Sequence, residues 1–152
     1  MKLRSTQWVA LEVARRGDME GVRTWVLVDG AGCGARSTAL SLVEIPPGKS
    51  HLLHRHPSAE QVVYVLYGET MHLTPEGRVP LRRGEAVYIP AGEWHGTHNE
   101  SDDTVRLLAL WGGVSSGAAA GYEPYDGRAD DRTTFPDKQA ADAAGGCGGS
   151  EA

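Results

Sequence analysis

Three histidines carry the strongest chemical signal in this sequence. His54 and His56 are separated by one residue, and His95 follows much later, after the turn Pro90-Ala91-Gly92. On an extended strand, residues i and i+2 project to the same side, so His54 and His56 offer two ring nitrogens to one point. Imidazole is a neutral ligand suited to zinc, iron, nickel and copper. A third imidazole from another strand would complete a divalent-metal centre able to polarise a carbonyl or to generate a nucleophile. An H-x-H pair alone is better explained by two unrelated surface histidines, which are common on strands, so its surroundings decide.

Those surroundings read as all-β. Short alternating or β-branched runs at Gly21–Asp29, Ser37–Ile45, Ser50–His56, Gln61–Tyr67, Glu69–Thr74, Ala86–Ile89, Thr97–Asn99 and Val105–Trp111 are strand candidates. They are separated by the turn segments Gly30–Ala35, Pro46-Pro47-Gly48, Pro75-Glu76-Gly77 and Pro90-Ala91-Gly92. Short strands with regular turns indicate a sandwich or barrel. Gln7–Arg15 is the one candidate helix, with a strand leading into the barrel as its alternative. The 152 residues suit one domain, expected over residues 1–127. After Gly112-Gly113 the composition shifts to Gly, Ala, Asp and Ser, and residues 128–152 are expected to be disordered for want of apolar surface. Tyr122–Tyr125 is expected to pack on the domain or to reach a partner subunit.

With turns and histidines placed, the sequence resembles the cupin superfamily. Gly48, His54, His56 and Gly68 fall into the first cupin motif, and Gly84, Pro90, Gly92, His95 and Asn99 match every position of the second. This motif core spans residues 48–99, and the resemblance as a whole covers roughly residues 21–112. It implies an all-β double-stranded β-helix, or jelly-roll barrel, with one divalent metal held by the motif histidines inside.

The family usually adds a glutamate from the strand after H-x-H, and here Glu60 and Gln61 compete for that place. Adjacent strand residues face opposite ways, so only one can point inward. Both spacings from His56 fit the motif, but only Gln61 also has the required spacing to Gly68. The expected ligand set is therefore His54, His56, Gln61 and His95, with Glu60 the alternative to Gln61. Three imidazoles and an amide leave the ion its full charge, which favours Lewis-acid work on a carbonyl over redox cycling.

Among the other histidines, His72 alternates with Thr70 and Thr74. If Gly68 turns a hairpin, His72 faces the strand carrying Gln61, as a proton donor or acceptor, a further ligand or a hydrogen-bonded core histidine. His98 is expected on the surface. His51 is out of phase with His54 unless a bulge intervenes. Trp94 could wall a pocket, while Trp25, Tyr64 and Trp111 are expected in the core. Cys33 and Cys147, in Gly-rich segments without C-x-x-C spacing, are expected to be free thiols.

Size, a histidine-rich site and glutamine at the carboxylate place resemble the small zinc-containing single-cupin cyclases of aromatic polyketide pathways. That resemblance implies zinc, a poly-β-ketone substrate, aldol-type ring closure and His72 as catalytic base. Iron, nickel or manganese would accompany the alternative, a dioxygenase acting on a flavonol or diketone. A non-catalytic small-molecule binder is the third reading. A net charge of −5 argues against nucleic acid, and no apolar run is long enough to cross a membrane. The charged N-terminal segment does not read as a secretory signal, so the expected setting is cytoplasmic. A homodimer formed by pairing edge strands is expected.

Overall fold

The computed structural model describes residues 14–126. Most of Gln7–Arg15, Cys147 and the segment expected to be disordered lie outside the described residues.

Among the described residues, eleven strands form two antiparallel sheets. The first is six-stranded, in the order β1 (Arg15–Met19), β2 (Val22–Val28), β3 (Thr38–Ile45), β10 (Val105–Gly112), β5 (Glu60–Tyr67), β8 (Ala86–Ile89). The second is five-stranded, in the order β11 (Glu123–Pro124), β4 (Ser50–Arg55), β9 (His95–His98), β6 (Glu69–Thr74), β7 (Gly77–Arg82). This is the expected all-β jelly-roll.

Period-two patterning sets which residues face inward. On β10, Val105, Leu107, Ala109 and Trp111 are buried and join Val63 and Val65 of β5 and Ile45 of β3 in one core. The same alternation turns Tyr64 outward. It is 39% exposed, which corrects its expected place in the core. Trp25 is half-buried with the Arg16 guanidinium 5.4 Å from its ring, whereas Trp111 is a core residue.

Other segments depart from the sequence reading for identifiable reasons. β7 was not anticipated because Pro80 interrupts its pattern, but β7 ends its sheet, where a missing N–H is tolerated. The Gly-rich turn contains a single helical turn, α1 (Gly30–Cys33), capped by the Asp29 carboxylate accepting from Gly32 N–H at 2.7 Å. Cys33 has no disulfide partner among the described residues. Arg15 begins a strand and pairs with Val26. Gly68 (φ +85°) carries the chain from β5 in one sheet to β6 in the other, so the expected β5–β6 pairing is replaced by β6 pairing with β7 and β9.

No described helix is long and apolar enough to cross a membrane.

Candidate metal centre

The antiparallel register of β4 and β9 sets His54 directly opposite His95, and His56 follows one residue beyond the end of β4. Ring centroids lie 4.3 Å apart for His54 and His95, 4.9 Å for His54 and His56, and 5.3 Å for His56 and His95. One ligand nitrogen from each ring lies within 4.8 Å of the others, and all three residues are buried.

Backbone carbonyls fix the tautomer of each ring. The Nδ1–H of His54 donates to the Leu52 carbonyl at 2.7 Å, that of His56 to Gly121 at 2.6 Å, and that of His95 to Glu93 at 3.0 Å. A carbonyl can only accept, so each Nδ1 holds the proton and each Nε2 presents a lone pair. These three Nε2 atoms are buried without a hydrogen-bond partner among the described residues, as is the Gln61 side-chain oxygen. A buried polar atom left unpaired costs about 1–3 kcal/mol. A cation among such acceptors would satisfy them, so the residues present fit a divalent ion.

The electrostatics favour the neutral, ligating form. Burial first, then repulsion from His51 and His95, brings the His54 pKa down to about 2. Burial likewise takes His95 to about 3 and lowers His56.

The two candidates for the fourth position separate by strand phase. Gln61 is buried on the inner face of β5, opposite Trp111, whose ring stands edge-on to His56 at 5.8 Å. Glu60 is exposed and accepts a hydrogen bond from the Tyr88 hydroxyl at 2.9 Å.

His72 is half-buried, and its register partners are Val79 on β7 and Thr97 on β9. It does not pair with the strand bearing Gln61; it shares a pocket of about 210 Å³ with His95, Thr74, Tyr88, Glu93 and Trp94. Burial takes its pKa down to about 4. Trp94 therefore does wall a pocket beside His95, held between the Arg55 guanidinium at 4.6 Å and the Tyr125 ring at 5.0 Å. His98 is half-buried and bonded to the Ser50 hydroxyl at 2.6 Å, apart from the triad.

His51 belongs to the neighbourhood of the site. The β4–β9 register shifts between His51 and His54, and the two rings lie 4.4 Å apart. Sequence reasoning also missed Gly121 and Tyr122. The Tyr122 ring stacks on His54 at 4.7 Å with a 20° interplanar angle. The signal available was the aromatic-bearing segment Tyr122–Tyr125, expected to pack on the domain or to reach a partner subunit; it packs on the domain, with Glu123 and Pro124 pairing with β4.

Comparison with known proteins agrees with this geometry. Residues 41–111 match the family model for the cupin domain. The tetracenomycin polyketide synthase protein TcmJ of Streptomyces glaucescens is 26% identical over 100 residues, covering 66% of this chain and 67% of TcmJ. An oxalate-binding protein of Thermotoga maritima is 29% identical over 68 residues, covering 45% of this chain and 56% of that protein. Among solved structures, the polyketide cyclase RemF from Streptomyces resistomycificus superposes with a TM-score of 0.63 at 25% identity, covering 70% of this chain and 79% of RemF. The match thus spans only part of each relative.

Proposed function

The chain belongs to the cupin superfamily, and from that footing we propose that it is a metal-dependent cyclase acting on an enolisable poly-β-ketone. The observation that carries this reading is the set of four buried, uncharged and unpaired acceptor atoms on His54, His56, His95 and Gln61. Similarity to TcmJ and to the polyketide cyclase RemF supports the substrate class. These four residues would hold the ion, with zinc favoured because every ligand is neutral and none recommends a redox role. When bound, the ion supplies Lewis acidity toward carbonyl oxygens.

The chain's own residues do the rest. His72, neutral and in the same pocket as His95, accepts the proton from the activated carbon. It returns that proton to the attacked carbonyl's oxygen, which becomes a hydroxyl as its π bond gives way to the new carbon–carbon bond. Trp94 walls that pocket and packs against the poly-β-ketone chain beside the reacting centre, which raises the effective concentration of the two carbons to be joined. A pocket of about 210 Å³ takes the reacting end of a chain, being smaller than the ~300–1,000 Å³ of drug-sized sites. A cytoplasmic homodimer is part of the same proposal. β1, β8, β7 and β11 end the two sheets and supply the edges for pairing.

A second reading, binding without turnover, is favoured by the similarity to the oxalate-binding protein. Incubating zinc-loaded protein with a synthetic poly-β-ketone analogue separates the readings. Cyclised product is the expected result. Analogue recovered unchanged from a saturated complex would support the binder, and oxygen consumption by the iron- or nickel-loaded protein would support a dioxygenase.

A further inference from the structure

We propose that residues 114–126, beyond the matched cupin domain, complete the metal centre, with the Gly121 carbonyl as the positioning group that holds His56 in its ligating orientation. This rests on the reading of the triad as a metal site.

The three histidines differ in how their Nδ1–H groups are anchored. His54 and His95 each donate to the carbonyl two residues earlier in their own segment, Leu52 and Glu93. Such bonds close within one short local segment and need no distant part of the chain. His56 instead donates to a carbonyl 65 residues away in sequence, at 2.6 Å, the shortest of the three. The orientation of this ring therefore depends on docking of the C-terminal segment. A hydrogen bond of this kind fixes the tautomer and ring plane and raises the basicity of the ligating nitrogen.

The segment is fastened on both sides of Gly121. Ser58 N–H donates to the Ala120 carbonyl at 3.1 Å, and Tyr125 N–H to the Leu53 carbonyl at 3.0 Å. Glu123 pairs in register with Arg55 and forms an ion pair with it at 2.6 Å. Val114 and Ala120 are buried in the core cluster. At Gly121 itself φ is +76°, and an added Cβ would lie 3.0 Å from Cδ and Cγ of Pro57, the residue after His56. Only glycine permits this approach, and the approach brings the carbonyl within reach of the ring. Tyr122, although 46% exposed, lies nearly parallel over His54, so one dipeptide contacts two of the three candidate ligands.

The test compares Gly121→Ala with Gly113→Ala in the full chain. Gly113 also has a positive φ, +83°, but an added Cβ there meets nothing within 4 Å, so it controls for backbone strain. Zinc affinity is read by competition with a chromophoric chelator, and site geometry by the visible absorption of the cobalt-substituted protein. Gly121→Ala is expected to lose about 10–100-fold in zinc affinity and to alter the cobalt spectrum. Gly113→Ala is expected to lose stability but keep both readouts, and adding Pro57→Ala to Gly121→Ala is expected to restore part of the affinity. If Gly121→Ala does not fold, Glu123→Ala, which removes one fastening, is expected to weaken zinc binding and alter the same spectrum. Wild-type affinity and spectrum in Gly121→Ala, or in Glu123→Ala where only that variant folds, would overturn the inference while leaving the triad intact. A wild-type chain that binds neither zinc nor cobalt would overturn both.

Discussion

His54 and His95 face each other across the β4–β9 ladder with ring centroids 4.3 Å apart, each anchored through Nδ1 to a carbonyl two residues back. Two buried imidazoles this close, with unpaired Nε2 atoms, are poorly arranged for an empty interior and well arranged around a cation. Metal should therefore stabilise the fold. At a zinc concentration of about 100 times Kd, the gain is about 2.7 kcal/mol. Thermal unfolding with and without zinc should show an upward shift in wild type and almost none in His54→Ala.

The same burial sets a pH dependence for the metal-free protein. The folded pKa values of His54 and His95, about 2 and about 3, lie below the ordinary 6.5. The unfolded state thus binds more protons as pH falls. Stability is fully present above about pH 6.5 and declines below it, by at most about 1.4 kcal/mol per pH unit for each ring. Urea unfolding in chelator at pH 7.5 and pH 5 should show this decline, and His54→Gln should lessen it.

His72 should separate catalysis from metal loading. It shares the pocket with His95 but lies outside the grouped triad. His72→Gln is expected to retain bound zinc while single-turnover cyclisation falls about 10²–10⁴-fold. Loss of zinc together with activity would make His72 a ligand instead.

Asn99, the last residue of the second cupin motif, should matter to the fold rather than the chemistry. It is fully buried; its amide donates to the carbonyls of Ile45 and Asp103 at 2.8 and 2.7 Å, and its oxygen accepts from Ser101 N–H and hydroxyl at 2.9 and 2.7 Å. Asn99→Ala strands these groups and should cost about 2–4 kcal/mol in urea unfolding, with zinc stoichiometry unchanged in the folded fraction.

What could be read from sequence follows the range of the interaction. His54 and His56 share a side because of strand phase, and Gln61 separates from Glu60 for the same reason, so both relationships were legible from spacing. The adjacency of His51 was not, because it depends on a register shift between β4 and β9 that no residue type announces. β7 was hidden by Pro80, whose tolerance depends on its edge position. Gly121 and Tyr122 were invisible as site residues because β11 reaches β4 only through tertiary pairing.

Metal analysis of protein purified without added metal, for wild type, Gln61→Ala and Glu60→Ala, tests the central claim most directly. Gln61 is buried with an unpaired oxygen, and Glu60 is turned out toward Tyr88. Stoichiometric zinc in wild type and Glu60→Ala, with marked loss in Gln61→Ala, is the predicted result. Iron or nickel that is lost in Glu60→Ala and kept in Gln61→Ala would contradict the neutral-ligand centre and the cyclase built on it.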